Sequence, residues 1–496
     1  MDLKQQRESS AKSADLAFSS ATALTRALRD RTVSARDLLE LYWSRVEKFN
    51  PSLNAIIWSD IEGARRAADE ADKRLDAGKP MGLLDGLPMT IKESFELAGS
   101  PTTWGVAQYR DNVTKTDADA VARLKGQGAI IFGKTNVPFM LSDWQSFNVI
   151  YGTTNNPWDL SRAPGGSSGG SAAALAAGMT ALDVGSDIGS SIRNPAHYCG
   201  IFGHKPTYGV VSYAGHALPG IVTTSDITVA GPLARSADDL ALELGIIAGP
   251  DAIEAQGWRL DLKPCTKTKI SDFKIAVMLS DPCSEVDQPI QDEIGKLAEF
   301  LASRGATVSF TARPDFSTKE AFDVYIGLLR AATSRAQSEE VFAQNRRIVA
   351  ELDPNDQSYY ARMLRAYVMP HRRWLEINER RHHMRHAWAR FFGEWDLFLC
   401  PAAASAAFPH DQEGERHNRT VAVNGKRVPT TDQLFWAGYS GAFYLPGTVA
   451  PIGLSPDGLP IGVQIVGPQY GDYTTIAFAK LLEQDYRAFT PPPGYA

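Results

Sequence analysis

Two glycine- and serine-rich loops in close succession, PGGSSGGS from Pro164 and DIGSSIRNP from Asp187, constrain the fold more than any other stretch. The first runs into AAALAAGM, a helix-forming segment, and then into TALDVGS, a strand-like segment that delivers the second loop. Glycine-rich loops ahead of helices aim backbone amides at negative charge, either a phosphate or a developing oxyanion. GGSSGGSA lacks the Gly-Lys-Ser/Thr ending that places a lysine on phosphates, which disfavours a nucleotide role.

The flanking sequence alternates helix and strand. Amphipathic helices are expected over Ser20 to Arg29, Ser34 to Phe49 with Ser34 as N-cap, and Asp60 to Asp76. Leu87 to Lys92 reads as a short strand, and a helix from Asp117 to Gly126 leads into a strand from Ala129 to Gly133. Asp272 to Phe310 has the pattern of a strand-helix-strand unit, and residues 318–392 read as almost wholly helical. Beyond a strand at Trp395 to Cys400, the segments Val449 to Leu454 and Pro460 to Val466 flank Ser-Pro-Asp-Gly458, a hairpin signature, and a helix from Asp472 to Gln484 closes the chain. Such alternation predicts an α/β fold: a single domain over residues 16–496 with a helical elaboration near 318–392, behind a flexible N-terminus over residues 1–15.

Charge and cysteine content exclude several classes. A net charge of −6 without long single-sign blocks gives no nucleic-acid footprint. Cys199, Cys265, Cys283 and Cys400 form no CxxC pair, so neither a zinc knuckle nor a disulfide framework is predicted. With no apolar stretch long enough for a secretory signal or a membrane span, the expected location is cytoplasmic, with no membrane or nucleic-acid partner; a homodimer is left open.

The first loop satisfies G-x-S-x-G in two registers, which raises an α/β-hydrolase esterase with Ser167 or Ser168 on a nucleophile elbow. An elbow needs a strand directly before the serine, whereas Asn155 to Pro164 is loop-like and carries two prolines. Taken together, PGGSSGGSAAALAAG, VGSDIGSSIRNPAHYCGIFGHKPTYG, GLPMTIKES, GKTNVP and DGLPIGVQIVGPQYGD resemble the motifs of the amidase signature family, in family order and across most of the chain.

That resemblance implies a mixed central β-sheet with helices on both faces and hydrolysis of an amide C–N bond without metal or cofactor. It places the nucleophile at Ser191, the bridging serine at Ser167 behind a cis Gly166-Ser167 peptide, and the catalytic lysine at Lys92. Backbone N–H groups of Ile188, Gly189, Ser190 and Ser191 would form the oxyanion hole, with Ser168 and Asp187 supporting the loops. The sequence departs from the usual pattern at Ser190, where glycine is common, and at Ser186, where threonine is common.

The residue types suit the chemistry. A serine hydroxyl needs a base at neutral pH, and a lysine can be one only if burial keeps it neutral, here among neighbours such as Met89 and Ile91. The expected substrates are neutral aryl or aliphatic amides, with esters, anilides and carbamates also open to the same acyl-enzyme. The alternative within the family is a glutamine amidase subunit of a tRNA-dependent amidotransferase, which would need a carboxylate-binding arginine and a partner complex. His382, His383 and His386 share a basic helical run and read as a solvated face rather than a metal site. The aromatics at Trp104, Phe147 and Phe435 to Tyr444 read either as core or as a substrate pocket.

Overall fold

A computed structural model describes residues 16–496; the flexible segment expected over residues 1–15 lies outside the described residues. The first helices begin where oxygen-bearing side chains cap them. Ser20 accepts from the Ala23 N–H ahead of α1 (Ala21–Arg29), Ser34 from Asp37 ahead of α2 (Ala35–Leu53), and Asp60 from Gly63 ahead of α3 (Ile61–Asp76). Helix α2 runs one turn beyond the expected Phe49 and stops at Asn54, which turns left-handed at φ 50°.

Three strands, β1 (Ile56–Ser59), β2 (Pro88–Lys92) and β3 (Ile130–Thr135), form a small sheet in the order β1-β3-β2, with α4 (Asp119–Gly126) preceding β3. The chain then passes through α5 (Gly169–Ala176), β4 (Asp183–Asp187), α6 (Arg193–Cys199), β5 (Phe202–Lys205), β6 (Val229–Ala234) and α7 (Ala237–Ile247). A βαβ unit follows: β7 (Lys274–Val277), α8 (Gln288–Ser303) and β8 (Thr307–Ser309), with the two strands parallel. Helices α9 (Thr318–Ser334), α10 (Glu339–Glu351), α11 (Tyr359–Tyr367) and α12 (His371–Glu394) come next, then β9 (Leu397–Pro401) and α13 (Leu434–Gly441). The C-terminal hairpin pairs β10 (Gly447–Leu454) with β11 (Pro460–Val466), and α14 (Asp472–Asp485) closes the fold.

The main sheet has eight strands in the order β8-β7-β9-β11-β10-β5-β6-β4. It is mixed: β7 is parallel to β8 and β9, and the remaining pairs are antiparallel. Strand alternation sends neighbouring residues to opposite faces. Leu233 and Val449 pack with Leu175 of α5 and Ile192 and Ala196 around α6, whereas Ala234 and Ala450 join the large core that includes Leu240 and Leu244 of α7 and Phe478 of α14. Helices therefore cover both faces of one α/β domain, as the sequence predicts. Strand β2, which carries Lys92, lies in the small sheet but meets the edge of the large one, where the Thr90 N–H donates to the Leu182 carbonyl at 3.3 Å.

The C-terminal aromatics resolve as core. Phe435, Trp436, Tyr439 and Phe443 are buried, Tyr439 meets Trp388 of α12 at 5.3 Å between ring centroids, and Phe435 meets Phe322 of α9 at 5.8 Å. They join α13 to the helical segment and do not line the cavity described next, whereas Trp104 does.

Candidate active site

Lys92 ends β2 with no solvent exposure, and its Nζ lies 2.7 Å from Ser167 Oγ, 2.9 Å from Ser168 Oγ and 3.0 Å from Ser186 Oγ. Burial pushes its pKa down to about 7, against the opposing pull of Asp187, Asp183 and Glu93. Strand alternation turns Met89 and Ile91 to the other side of β2 from Lys92, so the groups that meet the amine are the hydroxyls of Ser167, Ser168 and Ser186. A neutral amine has two N–H donors and one lone pair, so three hydroxyls suit it: it can donate to two and accept from the third.

Lys134 and Lys205 are also buried, with pKa values pushed down by burial to about 8 and about 7. Their amines meet Pro101 and Thr102 in one case and the Pro206 carbonyl in the other. Among these three lysines, geometry singles out Lys92, whose partner serines Ser167 and Ser186 line the same cavity as Ser191.

The two glycine- and serine-rich loops meet at this point. The Gly166-Ser167 peptide is cis, and the Ser168 N–H donates to the Ser191 carbonyl at 3.1 Å. Close approach requires glycine at two positions: Gly165 sits at φ 87°, where a Cβ would fall 2.6 Å from Pro195 Cα, and a Cβ on Gly185 of β4 would fall 2.6 Å from Ser168 Oγ. No strand directly precedes Ser167 or Ser168, so the nucleophile-elbow context is missing. Ser186, which stands out in the sequence only as a departure from the family pattern, is a direct partner of Lys92. Its position next to Asp187, at the mouth of the second loop, is the signal in the chain that points to it.

Ser191 is 5% exposed and lines a cavity of about 680 Å³ together with Ser167, Ser186, Ile188 and Gly189. Side chains hold the backbone ahead of it. Tyr325 OH of α9 donates to the Ile188 carbonyl at 3.0 Å, and the Trp144 indole N–H donates to the Gly189 carbonyl at 2.8 Å. Since C=O and N–H point oppositely across a trans peptide, the first contact directs the Gly189 N–H away from Tyr325. The next peptide is fixed from both sides. Its carbonyl is held by Trp144, and its N–H, that of Ser190, donates to Asp187 Oδ1 at 2.9 Å instead of facing an oxyanion as the resemblance implies. The physical reason is that the Asp187 carboxylate also gathers the Ile192 N–H and closes the turn. Asp187 is held side-on by Arg193, Nε to Oδ2 at 2.9 Å and Nη2 to Oδ1 at 2.8 Å; both side chains are fully buried. Despite its burial, which pushes the other way, the charge of Arg193 and these hydrogen bonds keep the Asp187 carboxyl below its usual pKa.

Ser190 itself adopts φ 74°, and its buried Oγ has no hydrogen-bond partner among the described residues. Both features favour the glycine usual in the family. Ser190→Gly is therefore expected to raise unfolding stability by about 1 kcal/mol, since a non-glycine residue in the left-handed region costs roughly 1–3 kcal/mol and the glycine entropy cost offsets part of the gain. Urea unfolding midpoints of the two proteins measure this, and a lower midpoint for the glycine variant would contradict it.

The histidines of α12 do not converge: His383 and His386 are exposed, and His382 Nδ1 faces Arg385 at 3.1 Å. No helix among the described residues is long and apolar enough to cross a membrane.

Comparisons with known proteins agree with this architecture. The Amidase family model matches residues 37–476. Human fatty-acid amide hydrolase 2 is 31% identical over 95% of this chain and 89% of its own length. A glutamyl-tRNA(Gln) amidotransferase subunit from Bdellovibrio bacteriovorus is 30% identical over 95% of this chain and 97% of its own. The crystal structure of a bacterial aryl acylamidase of the amidase signature family superposes with a TM-score of 0.79 at 24% identity, covering 94% of this chain and 96% of that one. With the family motifs, the mixed sheet and a lysine buried between two serine loops all in place, the chain belongs to the amidase signature family and is a hydrolase of amide C–N bonds.

Proposed function

We propose that the protein hydrolyses carboxylic amides through an acyl-enzyme on Ser191, with Ser167 and Lys92 as its proton relay. The observation that carries this reading is the Lys92 amine, sealed from solvent 2.7 Å from Ser167 Oγ beside the cavity that Ser191 lines. Neutral Lys92 takes the Ser167 proton while Ser167 takes that of Ser191, and Ser191 Oγ attacks the substrate carbonyl. The Ile188, Gly189 and Ser191 amides are the candidate donors to the oxyanion, and Tyr325 orients the peptide that carries the Gly189 N–H. The relay then runs in reverse to protonate the leaving amine, and water repeats the sequence to release the acid.

The cavity wall is largely apolar, with Trp104, Met140, Leu218 and Leu329 among its residues, which suits the aryl or aliphatic body of an amide, anilide, ester or carbamate. Fluorophosphonate labelling followed by peptide mapping tests the nucleophile: an adduct on Ser191 is expected, and labelling of Ser168 instead would move the chemistry. The likeness to a glutamyl-tRNA(Gln) amidotransferase subunit supports a second reading, a glutamine amidase working in a partner complex. Glutamine turnover exceeding anilide turnover, and rising with a co-purifying partner, would favour it.

The relay needs the Lys92 lone pair, so the sign of its pH dependence is set. As pH falls below about 7, Lys92 takes up a proton and can no longer accept one from Ser167. Amide kcat/KM is expected to drop about tenfold per pH unit on that side and to level off above it. Lys205 and Asp183 also have pKa values of about 7, so the assignment rests on the inflection disappearing in Lys92→Ala. An inflection unchanged in that variant would assign it to another group.

A further inference from the structure

Between β5 and β6 the chain makes a long excursion, residues 206–228, with no helix or strand of its own. Its second half crosses the cavity as a strap: Ala217, Leu218, Ile221, Thr223, Ser225 and Thr228 all line it. Little holds the middle of this strap. Among the described residues, residues 217–225 make two hydrogen bonds, one from the Ile221 N–H to the Leu218 carbonyl at 3.0 Å and one from Arg335, just after α9, to the Thr223 hydroxyl. Val222 is 92% exposed. A segment with so few contacts is located by its two roots.

The first root is packed tightly. Gly215 sits at φ 78°, where a Cβ would fall 2.4 Å from Ala118 Cα, and its carbonyl accepts from the Glu96 N–H at 2.9 Å. His216 Nε2 lies 2.9 Å from Ser94 Oγ.

The second root is a charged clip on Asp226. Arg381 of α12 reaches both carboxylate oxygens through Nη1, Oδ2 at 2.7 Å and Oδ1 at 3.0 Å. The Tyr444 hydroxyl and the Ile227 N–H also donate to Oδ1, at 2.8 and 3.0 Å. Arg381 is itself fixed: it is 1% exposed, its Nε and Nη2 donate to Asn378 Oδ1, and its guanidinium carbon lies 4.6 Å from the centroid of the Tyr444 ring. Tyr208 stacks on Tyr444 at 4.4 Å between centroids. A buried pair of this kind adds little net stability over apolar packing, but its directional bonds hold the chain in one place. Asp226, Arg381 and Tyr444 do not line the cavity, so any effect they have on the reaction passes through the strap.

We propose that Asp226, Arg381 and Tyr444 are positioning residues for substrate selection, which fix the strap over the cavity so that large amides reaching Leu218 and Ile221 depend on the clip and small ones do not. This deepens the amidase reading and rests on it for the identity of the cavity. The helical segment thereby acts on specificity from outside the site.

The test uses the double variant Asp226→Asn/Arg381→Met, which removes both charges together and leaves neither buried without its partner. Acetanilide and 4-phenylbutyranilide serve as small and large substrates. The ratio of kcat/KM for the large anilide to that for the small one is expected to fall about tenfold, through a higher KM for the large substrate and not through kcat. Tyr444→Phe keeps the ring beside Arg381 and loses one hydrogen bond to Asp226, so the ratio should fall in the same direction by about threefold. Calorimetric titration of both anilides into the same variants in a Ser191→Ala background reads the contrast without turnover. Melting curves establish folding, and Tyr444→Phe decides the proposal if the double variant does not fold. Equal losses for the small and the large anilide, a fall in kcat alone, or an unchanged ratio overturns it. Absence of both anilide turnover and a Ser191 fluorophosphonate adduct would sink the amidase mechanism, while the calorimetric contrast would still decide the clip.

Discussion

Ser191→Ala should lower kcat/KM by about a thousandfold or more for every amide, anilide or ester the protein accepts, since nucleophile deletions in serine hydrolases typically cost ~10³ to 10⁶. The substitution removes only Oγ. Ser191 is tied into the fold by its backbone, whose carbonyl accepts from the Ser168 N–H, so the loop has a reason to keep its shape. The variant is therefore expected to melt within a few degrees of wild type, with the loss confined to turnover. Parallel kinetics and melting curves separate the two. Residual activity above about a thousandth of wild type would move the nucleophile, first to Ser168, which shares the Lys92 amine.

The elements around this site are readable in the chain for identifiable reasons. Oxygen-bearing caps mark the starts of α1, α2 and α3, and the Ser-Pro-Asp-Gly turn marks the β10-β11 hairpin, so local chemistry alone locates them. Strands β5 and β6 are not legible in this way: β6, VAGPLA, contains glycine and proline, and only its pairing with β4 and β5 makes it a strand. Helix α5 is buried on every side and has no amphipathic period, so its alanine-rich composition is what marks it in the sequence.

The site divides along the same line. Lys92, Ser167, Ser186 and Ser191 all lie within family motifs, but that Ser186 faces Lys92 becomes visible only when β4 passes beneath the first serine loop.

Lys92→Ala is expected to harm amide hydrolysis more than hydrolysis of a matched ester. In the proposed relay the Ser191 proton passes through Ser167 to Lys92 on attack, so removing the amine should slow acylation by both substrates. An amine leaving group must also be protonated as the C–N bond breaks, whereas an activated phenolate can depart without a proton. The amide therefore loses two contributions and the ester chiefly one. General acid–base steps are typically worth ~10² to 10⁴, so the amide-to-ester ratio should fall by at least about tenfold. An anilide and a nitrophenyl ester sharing one acyl group, compared in both proteins across roughly pH 6 to 10, bracket the pKa of about 7 expected for Lys92. Removing the amine also leaves Ser168 and Ser186 without their shared partner, which would disturb the pocket for both substrates alike. Only the ratio carries the proton-transfer role. If amide and ester fall by one common factor at every pH, Lys92 positions Ser167 and does not protonate the leaving amine.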